Sequence, residues 1–188
     1  MNDDTQMMLG DWAKHKPRKD YLMIAAIDPG VTGAIAFYVP GVKDRVATFD
    51  MPRVEDEVNA PALRDLLFRY KPEVVGIERV GPMPRDGVKQ AWRFSAAYTT
   101  AKVVIALAGI KMLTFPPQVW KKAMNITIDK RPNEKAHARS NRAKERSRIR
   151  AIQLFPQCAD QFALKKDNNR AEAALLVMHL DQILRLDP

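Results

Sequence analysis

Residues 21–39 read YLMIAAIDPGVTGAIAFYV, and this stretch decides the fold. Tyr21–Ile27 is an uninterrupted apolar run, the pattern of a strand buried on both faces. Asp28-Pro29-Gly30, with Gly33 close behind, supplies a tight turn into a second strand, Ala34–Val39. Pro40-Gly41 marks another turn, and Arg45–Phe49 reads as a third strand. The chain therefore opens with three strands folded back on one another.

A punctuated helix follows. Asn59 is positioned as its N-cap, Pro61 sits in its first turn, and Leu63, Leu66, Leu67 and Tyr70 form one apolar stripe before Lys71-Pro72 stops it. Val74–Ile77 is a short apolar strand ending at Glu78. Beyond the loop Gly81-Pro82-Met83-Pro84, a long helix is predicted over Val88–Ala108, then a fifth strand over Lys111–Phe115. Pro116-Pro117 opens a short helix containing Trp120, Lys121 and Lys122. A loop at Asp129–Asn133 leads to a helix from about Glu134 to Leu154, and Ala171–Leu186 forms the last helix. Three antiparallel strands followed by helix, strand, helix and strand predict a mixed α/β domain, its later strands joined in parallel by right-handed crossovers. The ribonuclease H-like fold has this order, with a mixed five-stranded sheet flanked by helices and its first and fourth strands adjacent. Residues 1–20 read as a loose polar tail and residues 21–188 as one domain.

Charge is concentrated in one place. The net charge is +9, and the 21 residues from Lys130 to Arg150 hold nine Lys/Arg against two acids, a net of +7. That segment is the expected footprint of a polyanion. Within it Arg139, Arg142, Arg146 and Arg150 recur at three- and four-residue steps, so one helical face can present them together. The same spacing also fits a solvated helix face. A single Cys158 excludes an intramolecular disulfide, and three scattered histidines (His15, His137, His179) cannot build a usual zinc site. The N-terminus lacks a secretory apolar core, and no run approaches the ~18 apolar residues that span a bilayer. A soluble, cytoplasmic protein with no membrane partner is expected.

Four acids carry the candidate chemistry. Asp28 and Glu78 each end a short apolar strand, and if those strands are neighbours the carboxylates converge at one sheet edge. Asp167 and Glu172 precede and open the final helix. Asp167 lies five residues before Glu172, about 140° around a continuous helix, so it can join the others only from a cap or loop. Clustered carboxylates repel unless a cation neutralises them, and oxygen ligands without His or Cys favour Mg²⁺, with Mn²⁺ as a substitute. Two such ions about 3.5–4 Å apart activate water and stabilise the leaving oxygen in phosphodiester hydrolysis. Each acid also has an ordinary reading. Asp28 is a common turn residue before Pro-Gly, Glu78 can pair with Arg79 or Arg93, and Asp167 and Glu172 suit a helix N-terminus.

These residues resemble a known family. Ile27-Asp28-Pro29-Gly30-Val31-Thr32-Gly33-Ala34-Ile35-Ala36 is similar to the first motif of RuvC-like Holliday junction resolvases, especially their phage and chloroplast branch. Val75-Gly76-Ile77-Glu78-Arg79-Val80 resembles their second motif, and Met83-Pro84-Arg85-Asp86-Gly87-Val88 the loop behind it. Pro117-Gln118-Val119-Trp120-Lys121 is similar to their proline–tryptophan–lysine stretch, and Lys166-Asp167-Asn168-Asn169-Arg170-Ala171-Glu172-Ala173 to their C-terminal acidic motif. The resemblance implies a homodimeric, Mg²⁺-dependent endonuclease that resolves four-way DNA junctions by paired symmetric nicks, with Asp28, Glu78, Asp167 and Glu172 as metal ligands. Met83, Arg85, Lys121, Lys122, Lys130, Arg131, Arg139, Arg142, Arg146 and Arg150 are the candidate DNA contacts. Trp92, Phe94 and Trp120 suit either base stacking or the core. The apolar circumference of the long helix suggests a dimer surface. The Asp28–Gly33 turn also resembles the phosphate loop of actin-like ATPases and sugar kinases. The chain lacks their other half and further motifs, so no nucleotide cofactor is expected. A nuclease acting on RNA–DNA hybrids or structured RNA, and a non-catalytic nucleic-acid-binding module, are the alternatives.

Overall fold

Along β1 (Ile24–Asp28) and β2 (Ala34–Tyr38) every residue but Asp28 is buried, and successive side chains enter different cores. Ile24, Ala26, Ala34 and Ala36 face one side of the sheet, while Ala25, Ile27, Ile35 and Phe37 face the other. In the computed structural model residues 23–42, 44–79, 81 and 87–186 are described. The predicted tail, Tyr21, Leu22, Met83 and Arg85 lie outside them.

The remaining elements are β3 (Ala47–Asp50), β4 (Arg53–Val54), β5 (Glu57–Val58), α1 (Ala60–Tyr70), β6 (Val74–Glu78), α2 (Val88–Leu107), β7 (Lys111–Phe115), α3 (Pro117–Ala123), α4 (Ala136–Leu154) and α5 (Asn168–Leu186). Five strands form one sheet in the order β3-β2-β1-β6-β7. β1, β2 and β3 pair antiparallel, and β1, β6 and β7 pair parallel. The first and fourth predicted strands are thus neighbours. Helices α1 and α2 cover one face through Leu63, Leu67, Ala97, Ala101 and Ile105. α5 covers the other through Ala173, Leu176, Val177 and Leu180, backed by Trp120, Ala151, Phe155 and Phe162. Each fully buried Leu or Ile contributes about 1.5–3 kcal/mol to that sandwich.

Small residues set how closely α5 approaches. Gly76 in β6 lies beneath it, where a Cβ would come 3.1 Å from the Phe115 ring and 3.4 Å from Leu180. Ala26 and Ala36 complete this shallow floor. The close seat brings the first turns of α5 over the strand ends.

Several boundaries differ from the sequence reading, for local reasons. The Asn59 side chain caps α1 by accepting the Ala62 N–H at 3.1 Å, and Lys71 ends it in a left-handed conformation, as expected. β3 runs over Ala47–Asp50 rather than Arg45–Phe49, because Gln161 takes the Val46 carbonyl and Thr48 from the side. The β4–β5 hairpin has no Gly or Asn signal in the sequence, and Glu55 supplies its positive φ. α4 starts at Ala136 because Glu134 is held back in the preceding loop by the Arg131 N–H and Arg142. α5 starts at Asn168, earlier than predicted, because Asp167 closes a 3-10 turn by accepting the Leu164 N–H at 2.8 Å. A 3-10 segment, Pro156–Phe162, also joins α4 to that turn. No helix among the described residues is long and apolar enough to cross a membrane.

Candidate active site

Parallel pairing of β1 and β6 sets Ile27 opposite Ile77, so Asp28 and Glu78 end adjacent strands at the same level. Period-two alternation turns both carboxylates toward α5, on the side of Ala26 and Gly76. Glu172, in the opening turns of α5, is the third acid of the group. Burial first, then Glu172 and Glu78, hold the Asp28 carboxyl well above the ordinary range. Burial also raises Glu78, opposed by nearby Lys121. Three acids with mutually unfavourable charges form one electrostatic unit.

Side chains from two helices, α3 and α4, hold it in place. Fully buried Trp120 on α3 donates its indole N–H to Glu78 Oε2 at 3.0 Å. The next residue, Lys121, reaches Glu172 Oε2 at 2.8 Å. Ser147 on α4 stands 3.2 Å from both Glu172 Oε1 and the Ala143 carbonyl. Its one hydroxyl proton can serve only one of them, and the carboxylate is the stronger acceptor. Lys144, one helical turn from Ser147, acts on Asp28 from across the site. Glu78 is thus bound to Trp120, while Arg93, one of its expected partners, pairs with Asp56.

The loop from Asp28 to Gly33 is pinned on two sides. Gly33 N donates to the Gly30 carbonyl at 3.0 Å, and Met51 N donates to the Gly33 carbonyl at 2.8 Å. The α5 N-terminus grips the same region, with Asn169 donating to the Thr32 carbonyl and Arg170 binding Asp50 through two hydrogen bonds of 2.6 and 2.7 Å.

The predicted residues separate into distinct places. Asp28, Glu78 and Glu172 come together with Lys121. Asp167, five residues before Glu172, is buried and spends one carboxylate oxygen on the Leu164 amide. Among the described residues no three acids, histidines or cysteines stand close enough to share one ion as they are placed. The four stripe arginines do share one helix face, and each also bonds the loop before the helix. Arg139 donates to the Ile128 carbonyl, Arg142 to Asp129, Arg146 to Asn125 and Arg150 to Met124. Arg142 further clamps Glu134, whose carboxyl is held down at about 2 by that pairing and by the Arg131 N–H. Arg131, Arg142, Arg146 and Arg150 line a 480 Å³ groove. Lys122 and Lys130 are exposed. Of the candidate stacking aromatics, Trp120 is core, whereas Trp92 is 76% exposed and Phe94 39%.

Three contributors escaped the sequence reading: the Trp120 indole as a partner of Glu78, Ser147, and Lys144. By helical periodicity Lys144 falls on the side of α4 opposite the arginine stripe, and Ser147 on the flank between the two. A helical wheel places them there, but only the packing of α4 on α5 says that this side faces the acids.

A mixed sheet in this strand order, helices on both faces and acids at the ends of the two central parallel strands define the ribonuclease H-like class of fold. No protein-family model matches the chain, and no curated protein sequence matches it significantly. Among solved structures, the chain is similar to T. thermophilus RuvC in complex with Holliday junction substrate, at 17% identity over 82% of this chain and 89% of that one, with a TM-score of 0.52. A second *Thermus thermophilus* RuvC structure matches at 17% identity, over 77% and 92% of the two chains, with a TM-score of 0.46. The yeast mitochondrial Holliday junction resolvase Ydc2 matches at 13% identity, over 81% and 76%, with a TM-score of 0.39. The first of these matches establishes the shared fold.

Proposed function

We propose that the chain is a structure-selective endonuclease that resolves four-way DNA junctions by metal-dependent phosphodiester hydrolysis. The observation that carries this reading is the convergence of Asp28, Glu78 and Glu172 at the edge of the two central parallel strands. The fold is shared with a protein solved in complex with Holliday junction substrate.

The donor set fits a hard divalent cation. It is all oxygen, its charges oppose one another, and a cationic ammonium already lies against it. Asp28, Glu78 and Glu172 would hold Mg²⁺, with Asp167 as a further ligand once its carboxylate turns from the Leu164 amide. When bound, the ion supplies Lewis acidity toward the scissile phosphate and activates water. The protein's own groups prepare that chemistry. Trp120 fixes the Glu78 carboxylate, Ser147 fixes one oxygen of Glu172, and the buried sheet below excludes water from the floor. Lys122, Lys130, Arg131 and the arginine stripe would bind the phosphate backbone, and Met83 and Arg85, which follow Glu78 in the sequence, would contact the junction crossover.

Resolution needs two nicks, and one acidic cluster makes one at a time. A C₂ dimer supplies the second. What supports it is an exposed apolar row along α2, formed by Val88, Trp92, Val103 and Leu107 and flanked by a 590 Å³ groove against the β4–β5 hairpin. Incubation with labelled four-way junction, duplex and RNA–DNA hybrid, each with and without Mg²⁺, tests the proposal. Paired nicks confined to the junction with Mg²⁺ are expected. Preferential hybrid cleavage would assign a ribonuclease, and binding without cleavage a recognition module.

A further inference from the structure

Resting on the reading of the acids as a metal site, we infer that Lys121 is a resident counter-cation, and that a divalent ion enters by displacing its ammonium from Glu172. The protein solves the problem of three converging carboxylates internally. Lys121 Nζ sits 2.8 Å from Glu172 Oε2 and within electrostatic reach of Glu78 and Asp28 as well. The pair is secluded, with the lysine side chain 31% exposed and the glutamate 14%. An exposed ion pair of this length is weak, but a secluded one is screened far less.

The other contacts of the cluster are of a different kind. Trp120 and Ser147 touch Glu78 Oε2 and Glu172 Oε1 through neutral donors, and each leaves the second oxygen of its carboxylate for a cation. Lys121 competes with a metal for charge by direct contact, whereas Lys144 acts on Asp28 through its charge without a bond to the acids among the described contacts. One ammonium in contact, with Lys144 acting on Asp28 as well, still leaves three carboxylates short of positive charge, so Lys121 holds the acids together without satisfying them. α3 is built to deliver it: Pro117 starts the helix, and buried Trp120 anchors it while carrying the next side chain over the acids. The ammonium lies 5.1 Å from the Trp120 ring centroid, so a cation-favouring surface borders its path away from Glu172.

The test is calorimetric titration of Mg²⁺ into the wild-type full chain, Lys121→Met and Lys121→Arg, without DNA. Removing the competing charge should tighten Mg²⁺ binding about tenfold in Lys121→Met. Lys121→Arg, which keeps the charge, should stay near wild type. Equal or weaker binding by Lys121→Met would overturn the exchange while leaving the metal site standing. Absence of Mg²⁺ binding in every protein, wild type included, would overturn the metal site itself. A second readout needs no variant. In ¹⁵N-lysine-labelled wild type, the Lys121 ammonium signal, protected in the ion pair, should shift or disappear as Mg²⁺ saturates the site. A signal that stays in place at saturation contradicts displacement.

Discussion

Gly33→Ala should unfold the candidate site from its foundation. A Cβ on Gly33 would lie 2.1 Å from the Asp28 carbonyl oxygen and 2.9 Å from Gly30 N, inside the 3.0 Å that real contacts essentially never breach. Both clashing atoms are backbone, so no side chain can rotate aside. Nor can the turn open freely, because Met51 N holds the Gly33 carbonyl and Asn169 holds Thr32. Overpacking of this kind costs about 3 kcal/mol. For a chain of this size that is a fall in melting temperature of roughly 6–12 °C. Gly30→Ala is the control, since its nearest neighbours lie 3.6 Å or more from the added carbon and the change should stay within about 0.5 kcal/mol. Urea denaturation and thermal melts of both variants, with junction cleavage measured where each remains folded, complete the assay. Gly33→Ala should lose cleavage, because the displaced backbone carries Asp28. A Gly33→Ala protein that melts within about 2 °C of wild type would show that the turn yields to the added carbon.

Other predictions follow from the charges and the exposed helix face. Asp28 and Glu78 have raised folded pKa values, so the folded protein holds their protons more tightly than the unfolded chain. The metal-free protein should therefore lose stability as pH rises from about 4 through those values, and Asp28→Asn should flatten the fall in a series of melts. A wild-type melting profile that does not decline across that range contradicts the coupling. Replacing Arg146 and Arg150 with Gln should weaken junction binding and reduce the salt slope by roughly 0.9 per lost phosphate contact. An unchanged slope would leave these arginines a role within the fold, through their bonds to the Asn125 and Met124 carbonyls and to Gln153. Trp92→Glu should break the proposed dimer, moving the sedimentation mass from twice 21.3 kDa to 21.3 kDa, and a wild type already at the lower mass removes that proposal.

The strand order was legible because its signals are local. An apolar run closed by Asp28-Pro29-Gly30, a capped helix after Asn59 and a second run closed by Glu78 each declare themselves within a few residues. The convergence of Asp28 with Glu78 followed from one topological inference, that a strand–helix–strand unit returns in parallel. What stayed hidden depends on contacts across the chain. Lys121 reads as one more basic residue until the seat of α3 places it 2.8 Å from Glu172. The arginine stripe reads as a free surface until the 124–129 loop is seen to lie along it. Asp167 looks like a fourth ligand, and the 3-10 turn before α5 engages it as a cap. The β4–β5 hairpin was silent because its positive-φ position is a glutamate.

The central claim is that the paired strand-end acids perform hydrolysis and do not merely shape a turn. Its most direct test is the single-turnover nicking rate of Asp28→Asn on a labelled four-way junction, at saturating protein with Mg²⁺. The carboxamide keeps the size of the side chain and removes its charge, so metal affinity falls while repulsion toward phosphate is relieved. Junction binding as tight as wild type or tighter is expected, with cleavage lost. Cleavage by this variant at a rate near wild type would contradict the account.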